Sequence, residues 1–310
     1  MSLALLFPGQ GSQHVGMGRA LADAEPEAAR VFALADEVLG YPLSKLMWSG
    51  PEEDLTDTRN AQPAILAHSV AVMRVLRARL GPVAFAAGHS LGELSAYVAA
   101  GTLAADDALS CVRARGELMH QAGIERPGTM AAVLGLADEE VEEVCARVDA
   151  GVCVPANFNS SGQVVVSGDL AGVEQGTALA KAAGAKRVLP LNVSGAFHSP
   201  LMEPAAQGLR RRLEAIDLHD PDFPVVSNAT AEPVTAASEA RELLVRQLTA
   251  PVRWSASIET MRARGVGRFV EIGPGNVLCG LNRRNAAGVP CASVGEPVDL
   301  ERLEEASGTT

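Results

Sequence analysis

The chain has 310 residues, of which 47% are hydrophobic and 20% charged, with a mean hydropathy of +0.13. That is globular composition, enough for about two domains or one large α/β domain with an insertion, and it excludes wholesale disorder and collagen-like structure. Lys and Arg number 26 against 37 Asp and Glu, and the net charge of −11 argues against a dedicated nucleic-acid binder.

Leu3 to Phe7 is a short apolar run followed by Pro8-Gly9-Gln10-Gly11-Ser12-Gln13, which predicts a buried strand leading into a polar loop. The opening MSLALLFPGQG has no basic start and no cleavage-type segment, so no signal peptide is expected. No apolar run approaches about 18 residues, so no membrane helix is expected either. A helical pattern covers 15–39 and stops at Gly40 and Pro42. A second covers 61–80, with Ile65, Leu66, Val70 and Met73 on one side and Arg74, Arg77 and Arg79 late, where cations suit a helix C-terminus. After Gly81-Pro82, Val83 to Ala87 predicts a buried parallel strand. It runs into Gly88-His89-Ser90-Leu91-Gly92-Glu93 and helices over 92–100 and 105–122.

Residues 127–194 read as a separate unit. Strands at Thr129–Leu134, Val152–Asn157, Gln163–Ser167 and Lys186–Asn192 alternate with helices at Asp138–Val148 and Leu170–Ala183. The order β-α-β-β-α-β is the ferredoxin-like pattern, and Pro127 and Gly195 mark its edges. Beyond it come a helix (200–216), a strand (Val225–Ser227), helices (238–249 and 255–264), a strand (Arg268–Ile272) and a helix (276–284). The tail after 296 is acidic and is expected to fray at Ser307 to Thr310. The expected fold is α/β. A large α/β-hydrolase-like domain with a parallel sheet is built from 1–126 and 195–310, and a small ferredoxin-like α+β subdomain is inserted at 127–194.

Five scattered cysteines, Cys111, Cys145, Cys153, Cys279 and Cys291, form no CxxC pair and no Cys/His metal spacing. They read as reduced thiols of a cytoplasmic protein.

Ser90 sits in a GxSxG pattern between a predicted strand and a predicted helix, the context of a nucleophile elbow. The glycines allow a sharp turn, and the helix N-terminus offers N–H groups and a positive dipole end to an oxyanion. The plainer alternative is a serine that only caps the helix. A serine nucleophile needs a base, and there are six histidines. His68 and His120 lie in helical stretches, His219 in an acidic one, and His89 should point away from Ser90. His14 follows the GQGSQ loop and is a weaker candidate. His198, in the loop Ser194-Gly195-Ala196-Phe197-His198-Ser199-Pro200 where the inserted unit rejoins the main domain, is the stronger one, against the alternative of a surface histidine.

These motifs, with Arg113-Ala114-Arg115-Gly116 and Glu271-Ile272-Gly273-Pro274-Gly275, occur in the order and spacing of one family. Over about residues 3–285 the chain resembles malonyl-CoA:acyl carrier protein transacylases of fatty acid and polyketide synthesis, in their discrete, trans-acting form. The resemblance implies that Ser90 carries the acyl group as an ester and that His198 is its base and then the acid for the departing thiolate. It implies Gln10 and Leu91 as backbone donors to the oxyanion hole and Gln247 as a residue that orients the histidine. Arg115 falls at the position that meets the free carboxylate of the malonyl group. A planar guanidinium suits that carboxylate with two parallel hydrogen bonds. Phe197 occupies the specificity position, where a large ring narrows the space at the substrate α-carbon in the malonyl type and a serine widens it in methylmalonyl-type relatives.

The implied partners are malonyl-CoA and an acyl carrier protein, with no metal or other cofactor, no nucleic acid, no membrane, and a monomer as the default. Lys181, Lys186, Arg187, Arg210–Arg212 and Arg283-Arg284 are local basic residues suited to an acidic carrier. Two related readings are a transferase for another extender and an editing acyl-carrier hydrolase; Arg115 speaks against the second. A non-catalytic carrier-binding module has no use for Ser90, His198 and Arg115 together. An ordinary esterase would carry an acid between its serine and histidine and would lack the inserted unit.

Overall fold

The structure is a computed structural model and describes residues 2–307. β1 (Ser2–Phe7) lies in the middle of the larger sheet. Leu3, Leu5 and Phe7 enter one core cluster, while Ala4 and Leu6 enter another on the opposite face. A strand buried on both faces has no polar alternation, so it reads as a continuous apolar run.

The helix expected over 15–39 is two helices, α1 (Arg19–Ala24) and α2 (Pro26–Leu39). Glu25 between them is extended, with φ −124° and ψ 107°. The ring of Pro26 disfavours helical backbone at the residue before it, and Pro26 then starts α2, where a missing N–H is no loss. Two short helices, α3 (Leu43–Ser49) and α4 (Glu52–Thr56), offer too few residues for a periodic signal and were not in the sequence reading. α5 (Thr58–Leu76) starts earlier than the 61–80 expected, because Asp57 caps it by accepting from the Arg59 N–H, and it ends at Leu76. β2 (Val83–Gly88), α6 (Gly92–Ala99) and α7 (Ala105–Glu125) follow the sequence reading.

β3 (Gly128–Leu134), α8 (Asp138–Ala146), β4 (Cys153–Ser160), β5 (Gln163–Asp169), α9 (Leu170–Ala182) and β6 (Arg187–Pro190) keep the expected β-α-β-β-α-β order. They build an antiparallel sheet ordered β4-β5-β3-β6. Ala131, Val133, Val164 and Val166 face Val141, Val144 and Val173 of the two helices. The alternate residues Met130 and Val165 join the main core, as a period of two requires.

The chain then forms a 3-10 turn at Pro200–Met202, α10 (Glu203–Glu214), β7 (Val225–Val226), a short β8 (Pro233–Val234), α11 (Ala237–Arg246), α12 (Trp254–Ala263), β9 (Val266–Ile272) and α13 (Val277–Asn285). β10 (Cys291–Val294) was not in the sequence reading, and α14 (Pro297–Ser307) occupies the stretch after 296 read as a tail. Of the fraying expected at Ser307 to Thr310, Ser307 closes α14 and 308–310 lie outside the described residues. The larger sheet runs β10-β9-β1-β2-β7-β8, parallel except for β8. α12 and α13 cover one face with Trp254, Ile258 and Leu278, and the other helices of the main body cover the opposite face. Among the described residues, no helix is long and apolar enough to cross a membrane.

The cysteine reading needs one correction. Cys279 on α13 and Cys291 on β10 form a disulfide, while Cys111, Cys145 and Cys153 are free and buried. Packing of α13 against β10 brings the two Cα atoms to 5.4 Å, inside the range a disulfide spans, and a spacing of 12 in sequence does not announce that proximity.

Candidate active site

β1 and β2 end side by side, with Phe7 paired to Gly88. Loops at the carboxyl edge of a parallel sheet are where α/β folds hold ligands. The two loops here interlock through their main chains. His89 N–H donates to Phe7 O at 2.9 Å. A Cβ on Gly9 would stand 2.4 Å from His89 O, one on Gly92 2.1 Å from Phe7 O, and one on Gly88 1.9 Å from the Gly92 carbonyl. Backbone fills the space that any side chain would need, which is why both motifs are glycine-rich.

Ser90 is thereby held at the turn before α6 with φ +52°. A non-glycine residue in this region is strained and persists only where its surroundings over-determine it. Buried Asn228 supplies part of that restraint. Its Oδ1 accepts from the Ser90 N–H at 2.7 Å and its Nδ2 donates to Gly88 O at 2.7 Å.

His198 also has a positive φ, +57°, in the loop that returns from the inserted sheet. Its Nε2 lies 2.8 Å from Ser90 Oγ, and its Nδ1 lies 2.8 Å from the Gln247 carbonyl oxygen. A carbonyl only accepts, so the hydrogen sits on Nδ1 and Nε2 offers a lone pair to the serine hydroxyl. Burial, and then the nearby Arg115 cation, lower the pKa of His198 to about 3. The ring is therefore neutral near pH 7 and ready to accept a proton.

Arg115, on α7, is 1% exposed. Its Nη1 donates to Gln62 Oε1 at 2.6 Å, and its Nη2 donates to Gln247 Oε1 at 2.9 Å and to Ser90 Oγ at 3.1 Å. Its Nε has no partner among the described residues. All of these acceptors are neutral, an unusual setting for a buried guanidinium. Burial lowers its pKa to about 10, against the opposing effects of Cys111 and Glu93, which leaves it charged. Arg113, two residues away, faces elsewhere and pairs with Glu117 at 2.6 Å.

Gln247 is buried at the C-terminal cap of α11 rather than on a helix surface. Its carbonyl holds His198 and its Oε1 holds Arg115, while its Nε2 donates to Ser90 O at 2.9 Å and to Glu93 Oε2 at 2.7 Å. Glu93 is fully buried, and its Oε2 also accepts from the Asn228 N–H at 3.1 Å. Burial raises its pKa to about 7, against the opposing effects of these hydrogen bonds and of Arg115.

Six of the seven expected site residues, Gln10, Ser90, Leu91, Arg115, Phe197 and His198, line one cavity of about 310 Å³; Gln247 stands behind it. Among the described residues, no acceptor takes the backbone N–H of Gln10 or Leu91. Sequence reading missed Gln62, Glu93 and Asn228. Glu93 lay within the GHSLGE motif and carried a signal that was not used, whereas Gln62 and Asn228 carried none. The other histidines do not reach Ser90 Oγ. His68 is in the core, His14 and His219 are exposed, His120 lies half-buried on α7, and the His89 ring packs on Trp254 with its Nε2 2.8 Å from Asn159 Oδ1.

The family model of the acyl transferase domain matches residues 4–296. The chain belongs to the acyl transferase family. Among its relatives in that family, it is 46% identical over 301 residues to the malonyl CoA-acyl carrier protein transacylase of Bacillus subtilis, covering 96% of this chain and 95% of that one. It is 45% identical over 296 residues to the protein of the same name from Escherichia coli K12, covering 95% and 96%. Two solved acyl transferase structures have the same fold. A malonyl-transacylase in complex with its type II PKS acyl-carrier protein has a TM-score of 0.95 at 44% identity, covering 99% of this chain and all of that one. The acyl carrier protein S-malonyltransferase of Vibrio cholerae has a TM-score of 0.94 at 43% identity, covering 98% and 100%.

Proposed function

We propose that this chain moves a malonyl group from malonyl-CoA to the phosphopantetheine thiol of an acyl carrier protein, by a ping-pong route through an ester on Ser90. In the first half, His198 Nε2 takes the Ser90 hydroxyl proton as Oγ attacks the thioester carbonyl. The oxyanion forms beside the Gln10 and Leu91 N–H groups, and backbone donors aimed at that position stabilise it. The C–S bond then breaks, and the imidazolium returns the proton to the CoA sulfur. In the second half, His198 takes the proton of the carrier thiol, whose sulfur attacks the Ser90 ester, and the proton goes back to Ser90. The Gln247 carbonyl keeps the ring in the required tautomer throughout, so no third acid is needed. No metal or other cofactor enters this scheme.

The observation that carries this reading is the setting of Arg115, a buried cation with neutral partners, 3.1 Å from the nucleophile. Such a site favours an acyl group ending in a carboxylate, because the carboxylate supplies the missing counter-charge. Phe197 narrows the same cavity near His198, which favours malonyl over branched extenders.

We read the body formed by 1–126 and 195–310 as a hydrolase-like domain and 127–194 as a ferredoxin-like insertion, and the protein as a cytoplasmic monomer. Lys186 and Arg284 border a common surface depression and are the basic residues we favour for the acidic carrier. Arg210, paired with Glu242 at 2.7 Å, is less suited.

The test is the intact mass of wild type, Ser90→Ala and Arg115→Ala after brief mixing with malonyl-, methylmalonyl- and acetyl-CoA. A malonyl adduct absent from Ser90→Ala, discharged by a holo-carrier, and no longer favoured over acetyl in Arg115→Ala is the expected result. No adduct from any extender, or an equal one from acetyl-CoA on wild type, overturns it.

A further inference from the structure

Cys145 and Cys153 are free cysteines with no part in the site above. One ends α8 and the other begins β4. Their sulfurs are 3.9 Å apart, in contact. The Cys153 sulfur is seated against α9 at Gly176, where a Cβ would come within 2.6 Å of it. Cys111, the remaining free cysteine, is buried on α7 and lines none of this region.

Both sulfur-bearing residues line a second cavity, of about 410 Å³, and His198 lines both it and the substrate cavity. That volume is within the range of small-ligand sites. Its walls are mainly apolar, with Val154, Pro155, Phe158 and Pro251, and His198 is among its lining residues. Among the described residues that line it, Glu142 is the one carboxylate, and no Lys or Arg is present. His198 is neutral for the reasons given above, so nothing there attracts an anion.

We propose that Cys145 and Cys153 form a dithiol–disulfide site, reached through this cavity by small uncharged disulfides. In the first step, one cysteine loses its proton to water and its sulfur attacks a reagent RSSR. A protein S–S bond forms, the reagent S–S bond breaks, and one RSH leaves after taking up a proton. In the second step, the neighbouring sulfur attacks the protein sulfur of that mixed disulfide and releases the second RSH. Overall, two protein thiols and RSSR give one protein disulfide and two RSH. The two thiols are oxidised and the reagent is reduced. The sulfurs are already in contact at 3.9 Å and must close to about 2.05 Å to bond. The neighbouring thiol therefore resolves the mixed disulfide faster than a second reagent molecule arrives.

The site is tested on the folded, full-length chain with 2-hydroxyethyl disulfide as the neutral probe and dithiodiglycolate as the dianionic one. Each rate is divided by that reagent's rate with free cysteine. The expected product of the neutral probe has lost the mass of two hydrogens, retains no reagent, and gives a Cys145–Cys153 cross-linked peptide. Cys145→Ser and Cys153→Ser should each stop at a stable mixed disulfide or fail to react, and dithiothreitol should reverse the wild-type product. The dianionic probe should react at least tenfold more slowly on the normalised scale. A wild-type product that keeps the reagent on one cysteine, or that links other cysteines, overturns the pair as the site. Equal normalised rates for the two probes overturn the cavity as its entrance.

Discussion

Arg115 and Ser90 are in direct contact, with Nη2 donating to Oγ at 3.1 Å, although one lies within α7 and the other in the turn before α6. The same cation lowers the pKa of His198, second only to burial. A carboxylate bound to Arg115 offsets that charge and so makes His198 a better proton acceptor when a dicarboxylic acyl group is present. On the proposed mechanism, substrate recognition and the basicity of His198 are linked through one guanidinium.

Arg115→Ala should remove the partner that a malonyl carboxylate would meet. Removing one partner of a buried charge pair costs about 3–5 kcal/mol, which is about two to nearly four orders of magnitude in kcat/KM for malonyl-CoA. The value for acetyl-CoA should fall far less, because acetyl has no carboxylate to pair. Steady-state kinetics with both donors, and with Arg115→Lys as the charge-conserving control, measure the difference.

His198→Ala should lower kcat by about 10²–10⁴, the usual contribution of a positioned base. It also has a signature in stability. The folded state holds this ring unprotonated down to about pH 3, whereas the unfolded chain protonates it near 6.5. Between those values the unfolded state binds more protons, so wild-type stability falls as pH falls through the window. Thermal melts of the variant over that range should show a shallower acid loss than wild type.

Glu93 should titrate close to neutrality. Its carboxyl holds its proton to about pH 7 when folded and to about 4.5 otherwise. The folded state therefore binds more protons between 4.5 and 7, and this group subtracts stability as pH rises through that window. Once ionised it sets a negative charge near Arg115, so KM for malonyl-CoA should rise as pH passes about 7. Glu93→Gln should flatten the KM step and the stability slope together. Melts and a pH series of kcat and KM on the same variant test both.

Phe197→Ser should widen the cavity beside His198. One methyl group is worth about 1–3 kcal/mol of discrimination, so the methylmalonyl-to-malonyl rate ratio should rise about tenfold or more. Competition between the two CoA esters, read by acyl-enzyme mass, gives the ratio directly.

Gly88→Ala should abolish folding rather than catalysis alone. Its Cβ would lie 1.9 Å from the Gly92 carbonyl, and that backbone cannot retreat because Gly92 itself packs on Phe7 O. Circular dichroism and thermal melting should show loss of a cooperative native state, in contrast to Ser90→Ala, which should melt like wild type.

By itself, the sequence determined the parts of this protein that depend on near neighbours. The elbow at Ser90 was legible because strand, glycine turn and helix are consecutive, and the β-α-β-β-α-β order because short apolar runs and helical stretches follow one another with turn residues between. Ser90, His198 and Arg115 were legible through motifs in register. The break at Pro26 was a local signal too, one the sequence reading did not use.

Only the tertiary structure decided which distant groups meet. Gln62, Asn228 and Gln247 reach the site from three separate segments, across separations of up to 157 residues. Polar side chains on otherwise ordinary helices and loops have no periodicity that marks them, and their roles exist only once packing removes water and leaves each needing a partner. The Cys279–Cys291 bond and the Cys145–Cys153 contact follow the same rule. Proximity in space depends on how α13 and α8 lie against their strands, and cysteine spacing along the chain does not encode that packing.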